Sequence, residues 1–350
     1  MKATIKKYNL SFKRPSGTSR GILTEKETWF LILEKDGSYG IGECSMFRGL
    51  SYDDVPEFED KLNWVCNEIE KGKDNLWLEL QSFPSIQFGV EQAFLSLKSK
   101  DPFELFPSEF TRNQAPIPIN GLIWMGDEGY MFEQIQQKLE AGFNCIKMKI
   151  GAIDFKSEIS LLETVRKKYS KDQIELRVDA NGAFNPLEAL DKLNILAGFD
   201  LHSIEQPIKQ GNLKEMASLC KSTPLPIALD EELIGVSGVT KKHELLQTIR
   251  PQFIILKPTL VGGFKGSEEW IAIAESLGIG WWVTSALESN IGLNAIAQWT
   301  FTLDNTMPQG LGTGGLFTNN FDCPLQVKKG YIYKDNNRNW EANLIANLCL

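Results

Sequence analysis

Six charged side chains each come at the end of a short apolar run, and their order along the chain is regular. They are Lys147 and Lys149 in IKMKIG, Asp179 in LRVDANG, Glu205 in HSIEQP, Asp230 in PIALDEE and Lys257 in FIILKP. From Lys149 onward, successive charges lie 25 to 30 residues apart, about one strand–helix unit. Charges on buried strands are unfavourable unless they are paired or bind a metal. The repetition therefore predicts one site built from successive strands.

The three carboxylates indicate a metal site. Asp179, Glu205 and Asp230 lie on three consecutive predicted strands, and these motifs contain no Cys. Their one histidine, His202, lies three residues before Glu205 and therefore faces the other side of its strand. All-oxygen ligands select a hard cation, so we expect Mg²⁺, which Mn²⁺ can replace. The alternative for each carboxylate is a buried ion pair with a lysine.

Residue parity places the charges on one face. Lys147 and Lys149 share one face of their strand, and Arg177, Asp179 and Asn181 share one face of the next. The apolar residues between them can pack on surrounding helices, so the charged set is expected to face inward. Together with a divalent cation, the three carboxylates and three lysines leave a net positive pocket. We therefore expect a small dianionic carboxylate substrate.

A metal with lysines on both sides is suited to removing a proton α to a carboxylate. The metal would bind the carboxylate and stabilise an enediolate while a lysine takes the proton. The lysine must lose its own proton near neutrality, which means lowering its pKa from about 10.4 to about 7–8. Burial beside a cation and other ammonium groups acts in that direction. Metal-assisted hydrolysis is the rival, but it usually relies on nitrogen ligands to zinc.

The elements that must position these residues alternate regularly from about residue 115. Such alternation of apolar strands and amphipathic helices predicts a parallel sheet with right-handed crossovers. The predicted strands are 115–121, 144–151, 174–182, 201–207, 225–232, 252–258, 279–289 and the glycine-rich 309–317. We expect an α/β fold, a (β/α)7β TIM-like barrel with its site at the carboxyl ends of the strands. An open doubly wound sheet is the alternative, but the chain has no Gly-rich phosphate loop.

The first 105 residues have a different rhythm. Two strand-like runs meet at Asp36-Gly37, a strong hairpin signal, and helical patterns follow at 53–72 and 85–100. We predict an α+β capping domain over 1–105, completed by residues 322–350, and a barrel over 106–321. A proline-punctuated stretch, DPFELFPSEF, separates the two.

Composition excludes several classes of protein. The net charge of −8 on 350 residues argues against nucleic acid or an anionic membrane as a partner. No run of about 18 apolar residues predicts a membrane span, and the N-terminus lacks the apolar stretch of a signal peptide. The six scattered cysteines predict free thiols in a reducing cytoplasm, and both histidines are interpreted as structural. The oligomeric state is left open.

Taken together, these motifs resemble the enolase superfamily and its muconate-lactonizing-enzyme subgroup. The likeness rests on KMK, DANGAF, EQP, DEE, LKPTLVGG and the N-terminal PSIQFGVEQAFLSL, and it covers nearly the whole chain. It implies that Asp179, Glu205 and Asp230 bind the metal. It also implies that Lys149 and Lys257 are the catalytic lysines.

Within the subgroup the chain is most similar to the o-succinylbenzoate synthases, through TSALESNIGLNAIAQW and GLGTGGLF. That likeness implies a carbon–oxygen lyase of menaquinone biosynthesis, which dehydrates 2-succinyl-6-hydroxy-2,4-cyclohexadiene-1-carboxylate with syn geometry. Lys149 would take the α-proton and then assist loss of hydroxide, Lys257 would stay charged, and Lys147 would lie near the substrate carboxylate. The eighth-strand segment has no carboxylate of the kind that dipeptide epimerases and cycloisomerases carry. The alternatives are an N-succinylamino acid racemase or related epimerase with the same two lysines, and a non-catalytic binding protein.

Further residues are weighed individually. Gly262 and Gly263 are expected to offer backbone N–H groups to the succinyl carboxylate, although a plain turn explains them equally. Ser285 ends the seventh strand, and Arg48 lies in a segment, 44–51, expected to form a loop over the pocket. Arg177 and Asn181 are expected behind the metal ligands.

Overall fold

The computed structural model describes residues 1–18 and 21–349. Its N-terminal part is an antiparallel sheet in the order β1 (Lys2–Thr18), β2 (Gly21–Lys35), β3 (Ser38–Cys44). Asp36 and Gly37 both have positive φ, 52° and 78°, at the turn between β2 and β3. Two left-handed residues match the twist of a two-residue hairpin, so the predicted hairpin is confirmed.

Helices cover one face of this sheet. They are α1 (Phe58–Asn67), α2 (Lys73–Glu79) and α3 (Pro84–Lys98), with a 3-10 turn, Ile69–Lys71, between the first two. A Cβ at Gly42 would lie 1.9 Å from the carbonyl oxygen of Gly89, so β3 and α3 approach as closely as glycine allows.

The first of these helices is shorter than predicted. The sequence predicts a helix over 53–72, whereas α1 covers Phe58–Asn67. Asp53 is not helical. Its Oδ2 accepts hydrogen bonds from the backbone N–H (2.9 Å) and hydroxyl (2.6 Å) of Ser85, in the first turn of α3. This carboxylate therefore serves the start of another helix, a use that local periodicity does not reveal.

The second part is the predicted barrel. After α4 (Glu109–Asn113), seven parallel strands pair in sequence order. The strands are β5 (Gly121–Ile123), β6 (Cys145–Lys149), β7 (Glu175–Asp179), β8 (Ser203–Glu205), β9 (Ile227–Leu229), β10 (Phe253–Leu256) and β11 (Gly280–Val283). The helices between and after them are α5 (Glu128–Glu140), α6 (Phe155–Lys168), α7 (Pro186–Ala197), α8 (Leu213–Ser222), α9 (Val239–Ile249), α10 (Pro258–Val261), α11 (Gly263–Ser276) and α12 (Asn290–Thr302).

Among the described residues, two close the barrel at the eighth position. Gln309 bridges Ile119 and Gly310 bridges Thr284, both in parallel orientation. The predicted strand over 309–317 is therefore wrong in length, because the chain enters a turn after Gly310, in which the N–H of Leu316 donates to the carbonyl of Thr313. The α/β barrel with an N-terminal capping domain is confirmed.

The predicted first barrel strand is also misplaced. Ile117–Pro118 (β4) pairs antiparallel with Tyr331–Lys334 (β13), which pairs with Leu325–Lys328 (β12). The true first barrel strand is Gly121–Ile123, which pairs with Cys145–Lys149. The C-terminal hairpin takes up the earlier residues, and this long-range pairing leaves no mark on the local pattern.

The last residues return to the capping sheet. Trp340 stacks on Phe103 at 4.2 Å between ring centroids, and Leu344, which begins α13 (Leu344–Cys349), clusters with Phe30 and Ile32 of β2. These contacts support the proposed assignment of the tail to the capping domain, whereas β12 and β13 pair on the barrel side.

The structure also bears on two expectations from composition, the absence of a membrane span and the free cysteines. Within the described chain, no helix has the length and apolar character needed to cross a membrane. The described cysteines are free thiols, Cys44, Cys66, Cys145, Cys220 and Cys323. The side chain of Cys349 lies outside the described residues.

Glu43 joins the two parts of the molecule. This buried carboxylate accepts hydrogen bonds from Thr28 Oγ1 (2.9 Å) in the cap, and from Ser289 N–H (2.9 Å), Ser289 Oγ (2.5 Å) and Gly292 N–H (2.8 Å) at the start of α12. Four donors converge on two oxygens, so the interface requires an acceptor-only side chain here.

Glu43→Gln is expected to lower the free energy of unfolding by about 3 kcal/mol, because its amide N–H groups would face donors. Urea unfolding followed by circular dichroism measures this loss. Glu25→Gln, at an exposed position of β2, is the matched control and should change stability little. Equal stabilities for the two variants would contradict the role given to Glu43.

Candidate active site

Strand register places the charged residues side by side. Lys149 pairs with Asp179 across β6 and β7, and Asp179 pairs with Glu205 across β7 and β8. Asp230 directly follows β9, two residues after Ala228, the partner of Glu205. All three carboxylates are at most 2% exposed. They lie at the carboxyl ends of adjacent parallel strands, where barrel enzymes bind their substrates.

Each of the three lysines contacts a carboxylate. Lys147 Nζ lies 3.0 Å from Asp179 Oδ2 and bonds Glu205 Oε2. Lys149 Nζ lies 3.1 Å from Asp179 Oδ2. Lys257 bonds Asp230 Oδ2, and its Nζ is 4.0 Å from Glu205 Oε1. The structure thus brings all six predicted residues together in one buried cluster.

The cluster has an uneven charge distribution around Glu205. Burial, together with the negative charges of Asp179 and Asp230, raises the pKa of Glu205 to about 7 despite Lys147 and Lys257. Burial opposes ionisation of Asp179 as well, but Lys147, Lys149 and Lys257 outweigh it and hold the pKa of that carboxyl well below its usual range. Of these two carboxyls, Glu205 is therefore the less well compensated by the lysines, and an additional positive charge beside it would be favourable.

The donor set fits a hard divalent cation. Glu205 Oε1 is buried and accepts no hydrogen bond. Across 1–18 and 21–349, no three His, Cys, Asp or Glu side chains are arranged to hold a metal as they stand. The ammonium groups of Lys147 and Lys257 lie between the carboxylates. With those two lysines turned aside, the three carboxylates would offer only oxygen ligands, the chemistry that Mg²⁺ or Mn²⁺ prefers.

Asn181 orients the lysine on the neighbouring strand. Its Oδ1 accepts a hydrogen bond from Lys149 Nζ at 2.7 Å, and its Nδ2 donates to Glu231 Oε1 at 3.0 Å. The backbone N–H of Asn181 donates to Asp179 Oδ1 at 3.0 Å, in a left-handed conformation with φ 44°. Asn181 therefore touches both a carboxylate of the triad and a lysine.

Arg177 lies elsewhere. Its Nε donates to Glu175 (2.6 Å), its Nη1 donates to the carbonyl of Pro308 (2.9 Å), and its guanidinium lies over Trp282. Among the described contacts, none joins Arg177 to the three carboxylates. Parity correctly placed Arg177 inside the barrel. Its contacts, however, are with Glu175 at the amino end of β7 and with Pro308, away from the carboxylates.

A cavity of about 160 Å³ opens above the cluster. Lys147, Lys149, Asp179, Asn181 and Lys257 all line it. The loop from the cap contributes Phe47 and Leu50, and the barrel contributes further residues that the sequence analysis did not single out, Asn120, Leu122, Trp124, Thr284, Ala286, Leu287, Thr313 and Leu316. The mostly apolar lining limits water around the charged cluster.

Arg48 does not line this cavity. It is largely exposed and pairs with Glu27 at 2.8 Å and Asp54 at 2.7 Å. Its neighbours Phe47 and Leu50 face the pocket instead. The prediction that segment 44–51 forms a loop over the pocket agrees with the structure. Which of its side chains faces the cavity depends on how the loop folds.

Ser285 lines the cavity, but its hydroxyl is engaged. It donates to Glu288 Oε2 at 2.6 Å and accepts from Leu287 N–H at 3.0 Å and Thr313 Oγ1 at 2.9 Å. A hydroxyl has one proton to donate. Ser285 therefore shapes the wall and has no free donor for a substrate.

Gly262 and Gly263 face the capping helix α3. The carbonyl of Gly262 accepts a hydrogen bond from Trp77 Nε1 at 3.0 Å, and its N–H donates to Pro258 O. A Cβ at Gly263 would lie 2.0 Å from Glu91 Oε2. Neither glycine lines the cavity, so the geometry gives no support to the expected substrate contact.

Comparison with known proteins places the fold and the site in context. Residues 130–336 match the family described as enolase C-terminal domain-like. The chain is 47% identical to o-succinylbenzoate synthase of Desulfotalea psychrophila, over 95% of this chain and 98% of that protein. The crystal structure of MenC from the same organism superposes with a TM-score of 0.85 at 43% identity, covering 95% of this chain and 99% of that one. The L-Ala-D/L-Glu epimerase of Bacillus subtilis is 28% identical over 88% of this chain and 84% of its own.

Proposed function

The chain belongs to the enolase C-terminal domain-like family, and from this premise we propose that it catalyses the o-succinylbenzoate synthase reaction. The reaction is syn dehydration of 2-succinyl-6-hydroxy-2,4-cyclohexadiene-1-carboxylate to 2-succinylbenzoate, which makes the chain a hydro-lyase. The observation that carries this assignment is the register of Lys149, Asp179 and Glu205 on adjacent strands, with Lys257 opposite. The near full-length likeness to a synthase supports it.

Enzymes of this family depend on a divalent metal. We assign Mg²⁺ to the oxygens of Asp179, Glu205 and Asp230. When bound, the ion supplies a Lewis acid that stabilises negative charge developing on the substrate carboxylate. Lys147 and Lys257 would then turn from these carboxylates toward the substrate.

Lys149 is proposed as the base. It takes the proton from the ring carbon that bears the carboxylate, and Asn181 holds its Nζ in place through the 2.7 Å hydrogen bond. The electron pair of that C–H bond becomes a ring double bond as the C–O bond to the hydroxyl breaks. Lys149 returns its proton to the departing hydroxide, so water leaves and the lysine is neutral again. Because one lysine both removes the α-proton and protonates the departing hydroxide, the hydrogen and the hydroxyl group leave from the same face of the ring.

Lys257 is proposed to stay protonated. While Lys257 contacts Asp230 and Glu205, these carboxylates outweigh burial and raise its pKa. Once turned toward the substrate, its ammonium would face the negative charge of the substrate in their place. A permanent ammonium opposite the base stabilises the anionic form of the ring. Lys147, buried between Asp179 and Glu205, is proposed to lie near the substrate carboxylate.

The assignment is tested by incubating the protein with Mg²⁺ and the cyclohexadiene substrate while following aromatic absorbance. Formation of 2-succinylbenzoate that stops when the metal is chelated is the expected result. A protein that binds Mg²⁺ yet forms no aromatic product would contradict the proposal. We also propose a cytoplasmic location, which the free thiols favour.

A further inference from the structure

The barrel wall is incomplete between its first strand and its eighth position. Among the described residues, the last backbone hydrogen bond across this junction runs from Asn120 N–H to the carbonyl of Gln309, at 2.9 Å. Beyond it, β5 (Gly121–Ile123) has a partner only on its other edge, in Cys145–Lys149. The cavity extends into this gap, since its lining includes residues from both sides and from outside the wall, Leu122, Gly312, Lys138, Phe143 and Val327.

Lys138 reaches the gap from helix α5. Because Gly121 has no side chain, the stem of Lys138 lies directly against the strand: its Cδ and Cγ are 3.0 and 3.1 Å from where a Cβ would be. The ammonium lies 5.0 Å from the ring centroid of Phe143. Among the described residues, Lys138 makes no ion pair with a carboxylate, and burial lowers its pKa. It is a desolvated cation without an anionic partner.

The other lysines of the cavity all have roles at the reaction centre in the proposed function. Lys147 and Lys149 pair with Asp179, and Lys257 pairs with Asp230. The proposed substrate carries two carboxylates, of which one belongs at the reaction centre. We propose that Lys138 binds the second, the succinyl carboxylate, and that the four-carbon acid chain lies in the gap between β5 and Gly312. This inference rests on the proposed function.

The dimensions are compatible. Lys138 lies against Gly121, which pairs with Ile146 of β6. Ile146 comes three residues before Lys149 on β6, so the level of Gly121 and the level of Lys149 are about 10 Å apart along the strand. The extended stem of a lysine together with a four-carbon acid chain covers that distance. The apolar walls of the gap, Leu122, Phe143 and Val327, suit the methylene groups of such a chain.

The test is calorimetric binding of 2-succinylbenzoate, and of its methyl ester at the succinyl carboxylate, to the Mg²⁺-loaded protein. Lys138→Met should weaken binding of the diacid about 10- to 100-fold and leave binding of the ester unchanged. Lys138→Arg should stay within a few-fold of the unaltered protein. Lys168→Met is the matched control, since Lys168 also lies beside an aromatic ring, at 5.3 Å from Tyr169, but does not line the cavity.

Several outcomes are decisive. A protein that aromatises the substrate while Lys138→Met binds the diacid normally would overturn the role of Lys138 and leave the proposed function intact. A protein that neither aromatises the substrate nor binds the diacid would overturn both. If Lys138→Met unfolds, the unaltered protein decides: ester and diacid bound equally tightly would mean that no carboxylate site exists in the gap.

Discussion

Lys149→Ala is expected to abolish aromatisation, with kcat at least about 10³-fold lower, because Lys149 is the side chain assigned both to take the α-proton and to return it to the hydroxide. Lys149 is positioned for this by Asp179 at 3.1 Å and Asn181 at 2.7 Å. The metal ligands remain in place, so Mg²⁺ binding should change by no more than a few-fold. Single-turnover kinetics and calorimetric Mg²⁺ titration measure the two quantities on the same preparation.

Lys192→Ala is the matched control for this variant. Lys192 is also partly buried and paired with a carboxylate, Glu188 at 3.5 Å, but it lies on an outer helix of the barrel. It should retain full activity. Turnover by Lys149→Ala near the unaltered rate would mean that another group is the base, and Lys257 would become the first candidate.

Glu205→Gln is expected to weaken Mg²⁺ binding at least about 100-fold and to remove activity at ordinary metal concentrations. Glu205 is the middle carboxylate of the triad, and its Oε1 is the buried oxygen without a hydrogen bond. An amide keeps the shape but supplies one neutral oxygen ligand in place of a charged one. Calorimetric metal titration and the aromatisation assay over a range of Mg²⁺ concentrations separate binding from chemistry.

The control for burial is Glu158→Gln. Glu158 is as buried as Glu205, but its carboxylate accepts the Gly151 N–H behind the barrel wall and does not line the cavity. It should keep Mg²⁺ affinity even if stability falls. Unchanged Mg²⁺ affinity in Glu205→Gln would show that the three acids form only ion pairs with the lysines.

Much of the barrel could be predicted from the sequence because its strands are short, buried and separated by amphipathic helices. Parity placed Lys147 and Lys149 on one face of their strand and Asp179 on one face of the next, and the apolar opposite faces indicated that both look inward. The register of the two strands joins these residues. A charge is disfavoured on a buried strand, so each of these positions stands out against its apolar neighbours.

Features that depend on contacts distant in sequence could not be predicted. The capping loop turns Phe47 into the cavity and leaves Arg48 outside, a choice made by Glu27 and Asp54. Gly262 appears as a turn in the sequence, but its place is set by Trp77 of the cap. Trp124 shares parity with Leu122, and this signal in NGLIW could have identified both lining residues had the first strand been placed correctly.

The most direct test compares two reactions of the same Mg²⁺-loaded preparation in deuterated water by proton NMR. One sample receives the cyclohexadiene substrate and the other an N-succinylamino acid, which a racemase with the same two lysines would use. The account predicts rapid formation of 2-succinylbenzoate, with kcat/KM well above that for exchange of the amino acid α-proton. Rapid α-proton exchange without aromatisation would contradict it.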